Sequence, residues 1–261
     1  MRISLLGELE VFDDAGAAVV ITGAKQRILL AALALTPGRV VPTDVLAEAI
    51  WGEDPPPAVR NGLQGLVSKL RRGLGATDVV VMRSGGYVLD VPADAVDAVR
   101  FEQLARKAIS ENDPRLAREA LDWYGGELLP ADLYEDWAAD RRESLHLRQL
   151  DVLRLIGEWR ELSELDPTNE EAHVELMQRH LEAGDGAAAL RQYEHLERVL
   201  DRELGVTPGA AAREARAAAA NLDDRIETLL AELARLETRQ TELLAELAAA
   251  GAPRSSSPCD V

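Results

Sequence analysis

Arg60, Asn61, Gln64, Ser68, Lys69, Arg71 and Arg72 crowd into one short stretch, and no Asp or Glu occurs between Pro55 and Thr77. Guanidinium and ammonium groups neutralise anions, while amides and hydroxyls both donate and accept, so this mixture suits a polyanion whose heterocyclic edges are to be read. At helical spacing, base or backbone contacts are expected of Arg60, Asn61, Gln64, Ser68 and Arg72, and phosphate contacts mainly of Lys69 and Arg71. Arg83, beside a tight "RSGG" turn, is a further candidate for phosphate or the minor groove. Thr43, at a predicted helix start, could receive a phosphate on its backbone N–H, and Lys25 and Arg27 are weaker candidates. The alternatives are plain: cations also confer solubility, and a threonine at a helix start also caps it.

Catalytic chemistry finds less support. The four histidines are His146, His173, His180 and His195, and His173 and His180, seven residues apart, could share a helix face as a metal pair. Histidines in helical segments more often pack or hydrogen-bond. Neither GxSxG nor GxxxxGK[ST] occurs, and the one cysteine, Cys259, stands near the end of a Ser/Pro-rich segment. No enzyme activity, cofactor or metal is expected.

The whole chain of 261 residues carries a formal charge of −17, which by itself argues against a nucleic-acid partner. That sum conceals a partition. Residues 1–91 hold nine Lys/Arg against ten Asp/Glu, and the remaining 20 Lys/Arg and 36 Asp/Glu lie beyond. Between residues 55 and 88 the one acid is Asp78.

The elements that must position these residues are legible from periodicity. "RISLLG", "ELEVFD" and "AAVVI" read as three short strands. Thr22 is placed to cap a first helix in "AKQRILLAALALTPG", with Ile28, Leu29, Ala32, Leu33 and Leu35 inward. After a single strand in "RVVP", Thr43 caps a second in "DVLAEAIWG", with Val45, Leu46, Ala49 and Ile50 inward. Prolines 55–57 suit the first turn of a third helix. There Val59, Leu63, Leu66, Leu70 and Leu74 form a core stripe, with Gly62 and Gly65 disfavouring the helix by about 1 kcal/mol each relative to alanine. "DVVVMRSGGYVLDV" then reads as a β-hairpin. The order describes an α+β winged helix-turn-helix over residues 1–92.

An all-α, tetratricopeptide-like domain is expected over residues 95–218. It would include a long amphipathic helix over 137–162 and a helix pair in which Leu176, His180, Gly184, Ala189 and Tyr193 alternate large and small. In residues 219–250, Leu222, Ile226, Leu229, Leu233, Leu236, Gln240, Leu243 and Leu247 are spaced alternately 4 and 3, a heptad seam that either self-associates as a coiled coil or packs on its own domain. Residues 251–261 are expected to be disordered. With no apolar run of about 18 residues and nothing resembling a signal peptide, a cytoplasmic, nucleoid-associated protein is expected.

Several phrases resemble a known family. "MRISLLGELEV", "KQRILLAALAL", "VPTDVLAEAIWGEDPP", "AVRNGLQGLVSKLRRGLG" and "GGYVLDV" are similar to the OmpR-type winged helix of the Streptomyces antibiotic regulatory proteins. "VDAVRFEQLA", "WYGGELLP", "WAADRRESL" and "GDGAAALRQYEHLERVLDRELGVTP" resemble the bacterial transcriptional activation domain that follows it. The resemblance implies a short-form activator that binds direct repeats in double-stranded promoter DNA as a homodimer and recruits RNA polymerase, commonly at a secondary-metabolite gene cluster. An adaptor reading, in which a helical-repeat scaffold uses its winged helix for protein contacts, stays open beside it.

Overall fold

In a computed structural model of the chain, residues 1–76, 78–130 and 136–250 are described, with backbone alone for Asp136, Asp223 and 248–250. The expected disorder of 251–261 lies outside the described residues. Packing divides the molecule into two compact units, Met1–Glu161 and Leu162–Val261.

The first unit opens with strands β1 (Arg2–Ser4) and β2 (Glu10–Phe12), paired antiparallel with Ile3 opposite Val11. The third expected strand is reduced to one bridge, Phe12 to Ala18, and Val20 stands exposed. Helix α1 (Ala24–Ala34) buries Ile28, Leu29, Leu30 and Leu33. Its cap is Gly23, with no side-chain hydrogen bond, so Thr22 does not fill that place. A short β3 (Val41–Pro42) leads into α2 (Thr43–Trp51), where Leu46, Ala49 and Ile50 are buried but Val45 is 48% exposed. Helix α3 (Val59–Leu74) starts after the prolines, which lie in the connecting loop and not in its first turn. Strands β4 (Val80–Arg83) and β5 (Gly86–Leu89) form the hairpin, and β5 also pairs with β3.

The following helices share the same core. In α4 (Asp97–Glu111), Phe101, Leu104 and Ala105 are buried in a continuous apolar cluster with Ile3, Leu5, Leu29, Leu63 and Leu89. Helices α5 (Pro114–Leu121) and α6 (Ala139–Ile156) contribute Ala117, Ala120, Leu145 and Val152 to it. The division by packing therefore falls at Glu161, well beyond the expected change of domain at 92–95. Backbone bonds explain part of this. Leu129 N–H donates to Leu5 O and Gly7 N–H to Glu127 O, both at 2.9 Å, while Ile3 bridges Val96. The Asp97 carboxylate accepts from the backbone N–H groups of Leu5 (2.8 Å) and Leu6 (3.1 Å). Burial pushes that carboxyl above its ordinary range, and the backbone donors oppose the shift. Glu102 moves the other way, because Arg141 clasps both its oxygens at 3.0 and 2.7 Å.

The expected long helix over 137–162 is broken. Gly157 adopts φ 73 and ends α6, and α7 (Trp159–Leu165) starts afresh.

In the second unit α8 (Glu170–Glu182) and α9 (Gly186–Leu204) form an antiparallel pair joined through Gly184, whose φ of 76 serves the turn. Asn169 and Asp185 cap their starts by accepting from Ala172 N–H and Ala188 N–H. The first turns of α10 (Ala210–Ala250) lay Ala212, Ala215 and Ala219 on this pair, against a cluster that includes Met177, Ala189, Tyr193 and Leu196. Small residues there let the helices approach closely. His173 is buried in this unit, with Nε2 at 3.1 Å from Pro167 O and Nδ1 at 2.7 Å from the Gln192 amide nitrogen. Those partners assign the proton to Nε2, leaving Nδ1 as acceptor.

Candidate nucleic-acid interface

Helix α3 buries Leu63, Val67, Leu70 and Leu74, spaced 4, 3 and 4, and half-buries Val59 and Leu66. Val67 belongs to the core stripe although it was not among the residues expected there. At about 100° per residue the opposite direction is shared by Asn61, Gly65, Ser68 and Arg72, with Gln64 and Arg60 along one edge and Lys69 along the other. All seven are exposed.

The polar side chains of this face have no internal partners among the described residues. Several arginines elsewhere do meet carboxylates, among them Arg100 with Glu119 at 3.2 Å, Arg141 with Glu102 and Arg202 with Glu203 at 2.8 Å. Among the described residues, the side chains of Arg60, Asn61, Gln64, Ser68, Lys69 and Arg72 make no hydrogen bond or ion pair. No carboxylate stands on α3 itself. Asp44 and Glu48 of α2 line a groove that Arg60, at the edge of this face, also lines. The centre of the face stays free of negative charge.

Two expected contacts are taken up inside the protein. Arg71 turns toward β4, where its Nε donates to Val80 O at 2.8 Å and its Nη2 donates to the same oxygen. Through these two groups it ties the helix to the hairpin. Thr43 N–H and Oγ1–H both donate to Gly85 O, at 3.1 and 2.7 Å, so its amide is already occupied and its hydroxyl fastens the wing turn to the start of α2. Arg83 is exposed at the end of β4, opposite Gly86 in the hairpin register. A Cβ at Gly86 would land on the carbonyl oxygen of Val41, so only glycine lets β5 lie this close to β3. Lys25 sits over the Trp51 ring, 5.5 Å from its centroid, and Arg27 is half-buried.

The two helix glycines differ. A Cβ at Gly62 would press on the Trp51 ring and Pro56 at 3.3 to 3.4 Å, so this glycine serves the packing of α2 against α3. At Gly65 it would meet nothing within 4 Å. Nothing inside the protein requires glycine at the middle of the exposed face, and the spacing signal alone did not single it out as part of the interface.

His173 lies beside His195, with ring centroids 5.6 Å apart, and no group of three potential ligands occurs among the described residues. No described helix is long and apolar enough to cross a membrane.

Comparison with known proteins bears on this arrangement. Residues 17–89 match the family described as "Transcriptional regulatory protein, C terminal", and residues 151–220 match "Bacterial transcriptional activator domain". The regulatory protein DnrI of Streptomyces peucetius is 32% identical over 80% of this chain and 88% of its own length. The regulatory protein AfsR of Streptomyces coelicolor is 31% identical over 91% of this chain, which spans 26% of that longer protein. A solved structure of Mycobacterium tuberculosis EmbR, in complex with a low-affinity phosphopeptide, superposes with TM-score 0.65 at 23% identity, covering 87% of this chain and 70% of that one. The likeness to EmbR is one of fold: a winged helix followed by tetratricopeptide-like helices.

Proposed function

This chain belongs to the Streptomyces antibiotic regulatory protein family, and on that premise we propose that α3 is its reading helix, placed in the major groove of promoter DNA. The protein is a transcriptional regulator, as its relatives are. In the proposed mechanism Arg60, Asn61, Gln64, Ser68 and Arg72 contact base edges and backbone, Lys69 neutralises phosphate, and Arg83 reaches the backbone or minor groove from the wing. Two copies occupy direct repeats beside a promoter, recruit RNA polymerase and activate a secondary-metabolite gene cluster.

One observation carries this reading: a helix face dense in Arg, Lys and amide groups, without carboxylate and without a side-chain partner among the described residues. In a protein of net charge −17, a free cationic surface of this kind is complementary to a polyanion. The test is binding of the purified protein to duplexes from its own promoter neighbourhood and to a scrambled duplex, across roughly 50 to 300 mM salt. Arg60→Ala with Arg72→Ala should abolish the preference for the native duplex and flatten the log–log salt slope by about 0.9 for each phosphate no longer neutralised. Helical content by far-UV circular dichroism should not change. Retained binding by the double variant would remove α3 from the reading role, and failure of either duplex to bind would favour a protein partner for this face.

A further inference from the structure

Beyond Ala219, α10 leaves its own domain. Ile226, Leu229, Leu230, Leu233, Leu236, Leu243, Leu244 and Leu247 are 36% to 69% exposed, along a helix that continues to Ala250. Such a stripe is not stable bare in water. Leucine recurs every seventh residue at 222, 229, 236 and 243, the d positions of a heptad, while Ile226, Leu233, Gln240 and Leu247 take the a positions. The repeat of 3.5 residues matches a second helix with the same repeat, and the chain supplies one in its own copy.

The flanks decide how that copy lies. Positions g hold Arg225, Glu232, Arg239 and Glu246, all charged; positions e hold Asp223, Leu230, Glu237 and Leu244, two acids and two leucines. In a parallel, in-register pair each g edge faces the partner's e edge. Glu232 would then stand beside Glu237 of the other copy, and Arg225 and Arg239 would lie against leucines. Reversing one helix turns g onto g and e onto e. With Leu233 opposite Leu236, Ile226 falls opposite Leu243, Leu247 opposite Leu222 and Gln240 opposite Leu229. In that register Arg225 meets Glu246 and Glu232 meets Arg239, each twice by symmetry. On the other edge Leu230 lies opposite Glu237 and Leu244 opposite Asp223, so no like charges are paired there. In the single chain Arg239 is held by Glu242 at 3.1 Å, an exposed pair that an added carboxylate can join or replace.

We propose that the protruding part of α10 is a homodimerisation element that pairs antiparallel with a second copy of this chain. Charge complementarity on the g edge selects that orientation, since parallel pairing sets Glu232 against Glu237 and leaves Arg225 and Arg239 against leucines. Residues 222–247 span about 39 Å at 1.5 Å per residue, so the pairing sets two helical domains at opposite ends of a rod.

The test is sedimentation equilibrium of the full chain at micromolar concentration, without DNA, which keeps the result independent of any reading role for α3. The wild type should be dimeric, and Leu236→Asp should make it monomeric with its helical content largely retained. Glu232→Arg should weaken the dimer by about tenfold, because Arg239 of the second copy then meets a like charge, and adding Arg239→Glu should restore it. A monomeric wild type, or a dimer that survives Leu236→Asp, overturns the element. A dimer tightened by Glu232→Arg overturns the antiparallel orientation, since only parallel pairing sets Glu232 against Glu237.

Discussion

Arg71 and Arg72 are neighbours in sequence with identical chemistry, yet one donates to Val80 O and the other faces water. A rotation of about 100° separates them, and the strand that claims Arg71 arrives from several residues further along. His173 shows the same dependence on distant groups. Burial, with a smaller contribution from His195, holds its imidazole below the usual histidine range. The folded protein therefore keeps His173 neutral where the unfolded chain binds a proton. Stability from this group is fully present above the ordinary value of 6.5 and is lost as pH falls below it, by at most about 1.4 kcal/mol per pH unit. Urea denaturation at pH 7.5, 6.5 and 5.5 should show the decline. His173→Gln, less stable at pH 7.5, should show a shallower one; an unchanged slope would mean that other groups cause it.

At the scale of elements, periodicity carried most of α3, because its apolar stripe and charged face repeat at the helical spacing. It also carried the hairpin, where "SGG" turns and β-branched residues flank it. The helix start, the third strand and the break at Gly157 were less legible, since chain ends of elements depend on bonds that local sequence does not display. Gly65 links the element to the proposed function. Its position is open, so Gly65→Ala should raise stability by about 0.5–1 kcal/mol through helix propensity alone. If the centre of this face lies close against DNA, the same methyl should weaken binding to the native duplex. Thermal denaturation and anisotropy titration of one variant check both, and a stabilised protein with unaltered affinity would place the DNA elsewhere on the helix.

For the whole molecule, the core ignores the change in composition near residue 92. Ile3 and Leu5 share their cluster with Phe101, Leu104, Leu128, Leu129 and Val152, and Asp97 holds the backbone beyond β1. A fragment of residues 1–92 would expose that surface and is expected to lack a cooperative thermal transition. A fragment of residues 1–161 retains the cluster and should melt cooperatively. Circular dichroism melts of the two fragments make the comparison, and a stably folded short fragment would show that the α4–α6 contribution is dispensable.

Sequence alone determined the class of the molecule: the winged-helix order of elements, the acid-free face of the third helix and the heptad beyond residue 219. Each is a local pattern, set by side chains a few residues apart on one helix or strand. Tertiary structure decided what each group is left free to do. Arg71 and Thr43 are committed to backbone carbonyls of the hairpin, Gly86 to a close approach by β3, and Gly62 to Trp51, while Gly65 and its neighbours remain uncommitted. Those assignments arise from segments distant in the chain, whose meeting no local spacing records.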